Sequence, residues 1–267
     1  KKTTTKYEIE VEYIYNKIHT YLKKALNEIL DLILPVISAG SKNNFPKTKL
    51  VREYAKLSKT KSFVGPLPGT LLKKDVDKIS CGYAVTDKAD GERYLLFGAS
   101  EGSCFLINRE MNFKPIGQSA TMKNTLIDGE VIGKNFYAFD GMVVNNKNIT
   151  FLTLEERLAH VGDIVSKNPK LSLKLNLKTF YLSFRGGSMK ISAKNSVRTK
   201  LKLTRNIFES ASKLYKKKRS YKLDGLIFQP INQPYTTNQA FKWKPQNTVD
   251  FAIHKHDENT WKLHISA

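Results

Sequence analysis

Thr86-Asp87-Lys88-Ala89-Asp90-Gly91-Glu92-Arg93 decides the reading of this chain. It holds a lysine, one spacer, Asp-Gly, one spacer and an arginine. Apolar runs flank it, Gly82-Tyr83-Ala84-Val85 before and Tyr94-Leu95-Leu96-Phe97 after. Both runs predict short buried strands, with the polar segment as the turn between them. A lysine held at a strand end among other cations can lose its proton and act as an amine nucleophile. Arg93 carries the planar fork that holds a phosphate or a ribose hydroxyl. The rival reading is a surface hairpin turned by Asp90-Gly91. What recurs downstream separates the two.

Charged groups recur at strand ends. Arg109 follows Phe105-Leu106-Ile107-Asn108, and Glu130 follows Ile127-Asp128-Gly129. Asp224 opens Asp224-Gly225-Leu226-Ile227-Phe228, and Lys242 and Lys244 flank Trp243 ahead of Pro245. Strand alternation puts both lysines on one face and the tryptophan on the other. Two lysines side by side need an anion between them, and a nucleotide phosphate fits. Asp-Gly occurs in turns everywhere, and here it stands at 90, 128, 140 and 224. Singly these signals are weak; their order gives them weight.

Composition narrows the partners. Lys and Arg number 45 against 24 Asp and Glu, a formal net charge of +21. That excess suits a polyanion such as RNA, DNA or a nucleotide-rich site. A membrane surface is the rival, and a merely solubilising charge the plain alternative. With 267 residues, 40% of them hydrophobic, the chain can build one large or two ordinary domains. Cys81 and Cys104 lie in or beside apolar runs and read as reduced core residues, not a disulfide framework. No secretory signal is visible. The first residue is lysine, which suits a fragment of a longer chain. The apolar stretch from Ala25 to Ile37 is broken by Asn27, Glu28, Asp31 and Pro35, too short and polar to span a bilayer. The expectation is an intracellular, soluble protein. Gly133-Lys134 is followed by asparagine, so it makes no P-loop. His254-Lys255-His256 reads as a solvated strand, with no third ligand to make a metal site.

Taken in order, Tyr7 to Tyr13 alternates strictly, so Glu8, Glu10 and Glu12 share one strand face. Alone, that is a solvated edge strand. Tyr13 to about Leu34 has helical spacing and ends at Pro35. A helix is expected near Lys49 to Leu57. Strands are expected at Cys104–Arg109, Thr125–Ile132, Phe136–Val144, Leu171–Ser183, Leu223–Gln229, Ala240–Lys244, Val249–Ile253 and Trp261–Ile265. Helices are expected at Leu154–Val165, where Glu155 and Glu156 suit the first turn, and at Asn206–Tyr215. Lys213, Lys216, Lys217, Lys218, Arg219 and Lys222 form either an RNA-tracking surface or a solvated helix end. Many strands with a few segregated helices make the class α+β.

The order and wording resemble the covalent nucleotidyltransferase superfamily, which includes mRNA capping guanylyltransferases and ATP- or NAD-dependent polynucleotide ligases. The resemblance covers roughly Val64 to Phe251. Within it, Asp224-Gly225-Leu226-Ile227 stands where ligases usually carry Glu-Gly. Lys242-Trp243-Lys244-Pro245 followed by Thr248-Val249-Asp250-Phe251 is a capping-type ending. Ala89 and Asn108 stand where capping enzymes more often carry threonine and aspartate.

The resemblance implies a fold of antiparallel sheets with flanking helices, followed by the beginning of an OB-fold domain. By similarity, Lys88 attacks the α-phosphate of GTP to form lysyl-GMP, and the diphosphate end of an RNA then takes the GMP. Arg93 and Arg109 would hold the ribose, Phe139 would stack on guanine, and Lys178 would read its O6. Lys242 and Lys244 would grip the α-phosphate. Glu130 and Asp224 would serve the ribose and a divalent metal, Mg²⁺ or Mn²⁺. The implied domains are 1–13, the last strand of an RNA triphosphatase-like domain; 14–50, a linker; 51–246, the nucleotidyltransferase; and 247–267, the OB-fold start. The implied setting is a multifunctional capping enzyme of a large DNA virus, in the host cytoplasm or virion. Other capping domains or a stimulatory subunit would be its partners. The rivals are an RNA or DNA ligase using ATP and the same lysine, or a catalytically weak RNA-binding module.

Overall fold

A computed structural model describes residues 10–11, 47–167, 169–183, 201–237, 239–245, 249–255 and 261–265. The chain opens with β1 (Glu10–Val11), α1 (Lys47–Ser58), β2 (Gly69–Thr70), α2 (Val76–Ile79), β3 (Tyr83–Ala89) and β4 (Glu92–Gly98). Next come β5 (Ser103–Ile107), β6 (Phe113–Gln118), β7 (Thr125–Ile132), β8 (Asn135–Val144), β9 (Lys147–Asn148) and α3 (Leu154–Ser166). The remainder is β10 (Lys174–Leu177), β11 (Phe180–Leu182), β12 (Leu201–Leu203), α4 (Ile207–Lys216), β13 (Leu223–Pro230), β14 (Phe241–Trp243), β15 (Val249–Lys255) and β16 (Trp261–Ile265). The expected helix over Tyr13–Leu34, Glu8 and Glu12, and the side chains of the His254–His256 pair lie outside the described residues.

The chain divides into two compact units, Phe45–Lys244 and Lys1–Asn44 with Pro245–Ala267. In the second unit β1, β15 and β16 form a small sheet, with Glu10 opposite Asp250 and Val11 opposite Val249. The larger unit holds two sheets. One runs β10-β8-β7-β4-β5-β6, with β9 added on β8; the other runs β12-β11-β3-β13-β14-β2.

Alternation explains the layering. In β4, Leu96 faces a core shared with Ala84, Ile127, Phe136 and Phe180, closed by Leu154, Leu158, Val161 and Ile164 of α3. Its neighbours Leu95 and Phe97 face the other way, onto Leu50 and Tyr54 of α1. In β3, Ala84 joins the first core, while Val85 packs with Ile207, Ala211 and Leu214 of α4. Each fully buried leucine or phenylalanine contributes about 1.5–3 kcal/mol. Thr153 and Glu156 form a reciprocal cap at the start of α3. Asn206 caps α4 by accepting from the amides of Phe208 and Glu209.

Three expectations are corrected. The two strands around Lys88 do not form a hairpin: β3 pairs with β11 and β13, and β4 with β5 and β7. Asp90-Gly91 steps from one sheet to the other, and Asp87 and Lys88 lie within β3. Second, Leu171–Ser183 is not one strand. β10 pairs with β8 and β11 with β3, so Lys178-Thr179 marks the step between the sheets. Third, the sheets are mixed: β10·β8, β11·β12 and β14·β2 are parallel. The α3 crossover makes the first possible, since parallel neighbours need a long connection. Strand β6 and the short β2, β9 and β12 had no clear alternating run. Among the described residues no helix is long and apolar enough to cross a membrane.

Candidate active site

Strands β3 and β13 run antiparallel, with Gly225 opposite Lys88 and Leu226 opposite Asp87. The ladder slips between Leu223 and Gly225, so Asp224 is the extra residue of a bulge. Bulges re-aim side chains, and here the carboxylate of Asp224 meets the ammonium of Lys88 in an ion pair. Gly225 makes the bulge possible. Its φ is +145°, and a Cβ there would drive into the carbonyl of Trp243. Lys244, just past β14, reaches the same Asp224 oxygen at 3.3 Å. Both lysines and the aspartate are largely buried. Lys242, opposite Ile227 in β14, is partly exposed. Lys88 therefore has a carboxylate set directly against it, which the sequence reading did not anticipate, and the Lys244 ammonium on the same oxygen.

A second cluster surrounds Phe139 on β8. The guanidinium of Arg93 lies 5.6 Å from its ring centre and the Lys178 ammonium 5.9 Å. Lys178 donates to Glu130 Oε2 at 2.8 Å and to the main-chain oxygen of Asp87 at 3.0 Å. Its side chain is 4% exposed. Lys178 therefore ties the Phe139 cluster to the strand that carries Lys88. The structure brings Arg93, Glu130, Phe139 and Lys178 together. Arg109 is exposed, just beyond β5.

Arg93 is held by a carboxylate and a main-chain carbonyl. Its Nε and Nη2 donate to the two oxygens of Asp128 at 3.0 and 2.6 Å, and Nη1 donates to the Pro66 carbonyl at 3.0 Å. Tyr235 donates its hydroxyl to Asp128 at 2.6 Å. Burial opposes the charge on Arg93, but Asp128 and Tyr235 outweigh it and raise the guanidinium's pKa. Burial, then Asp128, pushes the Tyr235 phenol far up.

Asp128 and Tyr235 are polar supports that the sequence reading missed. So are Asp87, Arg219 and Tyr221: the Asp87 carboxylate accepts from Arg219 Nε at 3.0 Å and from the Tyr221 hydroxyl. The signal was an aspartate inside a buried strand, since such a charge must have a partner. The basic cluster also changes. The Arg219 side chain is turned in against Asp87, Lys213 pairs with Glu209 and Lys222 with Asp90. The sheets are locked together deeper in. Arg157, fully buried on α3, gives Nε and Nη2 to Asp140 of β8 at 2.6 and 2.9 Å. Gln229 of β13 donates to the same carboxylate at 2.5 Å.

A strand lysine paired with a bulge aspartate, a second lysine on that aspartate and an aromatic flanked by cations make up the candidate site. Comparison with known proteins narrows the class. Residues 37–246 match the family "mRNA capping enzyme, catalytic domain". The chain belongs to that family. It is 28% identical to the probable mRNA-capping enzyme of Acanthamoeba polyphaga mimivirus, over 92% of this chain and 26% of that protein. It is 27% identical to the mRNA-capping enzyme subunit alpha of Saccharomyces cerevisiae, over 76% of this chain and 52% of that one. With the mRNA-capping enzyme of African swine fever virus (isolate Pig/Kenya/KEN-50/1950) it shares 29% identity, over 67% of this chain and 19% of that one. The chain thus spans about half or less of these relatives.

Proposed function

We propose that the chain is an mRNA 5′-capping guanylyltransferase. The observation that carries this reading is the meeting of Lys88, Asp224 and Lys244, from three separated stretches, around one carboxylate. Lys88 leaves its ion pair, gives up a proton to solvent water and attacks the α-phosphate of GTP. The new N–P bond forms as the bond to the β-phosphate oxygen breaks, and pyrophosphate leaves. An oxygen of the RNA 5′-diphosphate then displaces the lysine, giving GpppN and restoring the amine. Phosphoryl transfer of this kind depends on positioning and charge neutralisation.

Each neighbour has a role in that scheme. Lys242 and Lys244 hold the α-phosphate. Phe139 stacks on guanine and Lys178 reads its O6. Arg93, fixed by Asp128, takes the ribose with Arg109 and Glu130. Among the described residues no cluster of three metal-ligand side chains exists. Mg²⁺ does not need one, since it keeps waters and binds through one or two carboxylates plus substrate phosphates. Both carboxylates are held by lysines, Glu130 by Lys178 and Asp224 by Lys88 and Lys244, and Asp224 is the one released when Lys88 and Lys244 turn to the phosphate. A divalent cation held by Asp224 and the phosphates would neutralise charge on the transferring group.

The domain division at 13, 50 and 246, a triphosphatase-like domain ahead and an OB-fold behind belong to the same proposal. So do the other capping domains or a stimulatory subunit as partners, and a host-cytoplasm or virion setting. Incubation with α-labelled GTP and a divalent metal, then denaturation, tests the reading. It requires acid-labile GMP on the protein that is lost in Lys88→Ala. AMP in its place assigns the site to the ligases.

A further inference from the structure

Asp87 and Lys88 are neighbours in β3, so their side chains leave opposite faces of the strand. The Asp87 carboxylate is 8% exposed and the Arg219 side chain 7%. Arg219 Nε donates to Asp87 Oδ2 at 3.0 Å, and Tyr221 donates its hydroxyl to the same oxygen. Arg219 is itself fixed, because Nη1 donates to the Lys217 carbonyl at 2.8 Å and Nη2 to that of Leu214. The Tyr221 ring lies 5.3 Å from that of Tyr137. One residue on, the Asp90 amide donates to the Lys222 carbonyl at 3.1 Å. The segment after α4 thus grips β3 on both sides of Lys88.

We propose that Tyr221 and Arg219 are positioning residues, which act through Asp87 to hold Lys88 in line with the α-phosphate. The proposal rests on the guanylyltransferase reading and adds residues to it. A buried ion pair contributes little net stability compared with apolar side chains of the same volume. What it does provide is a single arrangement of the strand. An amine attacking phosphorus needs that, because a displacement of about 1 Å can cost about a hundredfold in rate. Lys178, which donates to the Asp87 main-chain oxygen, joins the base-binding cluster to the same grip.

The test uses the chain in its natural polypeptide and the rate of lysyl-GMP formation from α-labelled GTP. Tyr221→Phe keeps the ring and removes one donor. The labelling rate at saturating GTP falls about tenfold, while the half-saturating GTP concentration stays within about twofold. In an Asp87→Asn background the same substitution adds less than about twofold, since both act through one carboxylate. Arg219→Lys, which keeps the charge and loses the fork, is slowed as well. Hydrogen exchange gives a readout independent of activity: Tyr221→Phe speeds exchange in residues 84–90 and leaves α3 unchanged. Wild-type protein that labels normally, with Tyr221→Phe labelling equally fast, overturns the proposal alone. Wild-type protein that takes no label from GTP overturns the guanylyltransferase reading and this proposal with it.

Discussion

Lys88 and Asp224 meet because β13 carries one residue more than β3 between Leu223 and Gly225. The extra residue is the aspartate, and the glycine after it lets β14 pass close by. A substitution at that glycine therefore acts on the chemistry through the backbone. Gly225→Ala must either abandon φ +145° or push the Trp243 carbonyl away. It is expected to lose about 1–3 kcal/mol of stability and nearly all GMP labelling, read by denaturant melts and a covalent labelling assay. Labelling at the wild-type rate would show that the bulge does not aim Asp224.

Arg93 and Asp128 form a two-point ion pair within the Phe139 cluster. Asp128→Ala leaves the guanidinium buried without its partner, and a loss of about 3–5 kcal/mol is expected. Tyr235→Phe removes one hydrogen bond to the same carboxylate and costs about 1–2 kcal/mol. Chemical denaturation of both variants checks the order. A Tyr235→Phe loss equal to that of Asp128→Ala would contradict this account.

Arg157 separates stability from catalysis. It joins α3, β8 and β13 through Asp140, and its hydrogen bonds go to Asp140 and to the Leu152 and Gln233 carbonyls rather than to a proposed nucleotide-binding residue. Arg157→Leu is expected to cost about 3–5 kcal/mol while labelling per folded molecule stays near wild type. A labelling loss in fully folded protein would place Arg157 in the catalytic machinery.

The two cysteines should react differently. Both are free; Cys104 is buried and Cys81 partly exposed. Burial pushes the Cys104 thiol up to about 11. At pH 8 iodoacetamide should modify Cys81 well before Cys104, as read by mass spectrometry of the native protein. The raised value also makes the Cys104 contribution to stability complete below pH 9.0, the ordinary value, and lost as pH rises through about 11. Rapid native alkylation of Cys104 at pH 8 would contradict its burial.

The sequence made the strands legible, because alternation and length are local properties. β7 lies at Thr125–Ile132 as read, and α3 and α4 begin where their caps stand. Sheet membership was not legible. Periodicity says that Tyr83–Ala89 and Glu92–Gly98 are strands and nothing about which neighbour each takes. Most site residues were visible as charges at strand ends. Their supports were not, because the partners are far apart in sequence: Asp87 meets Arg219 132 residues away, and Asp128 meets Tyr235 107 away. Arg219 looked like part of a solvated basic run until the turn of its side chain in against Asp87 gave it another role.

Covalent labelling tests the central claim most directly. The chain, alone and within its natural polypeptide, is incubated with α-labelled GTP or ATP and Mg²⁺, then denatured. The account predicts acid-labile GMP on the protein, absent with Lys88→Ala and weak or absent with Asp224→Asn. Label that survives in Lys88→Ala, or appears with ATP and not with GTP, would contradict it.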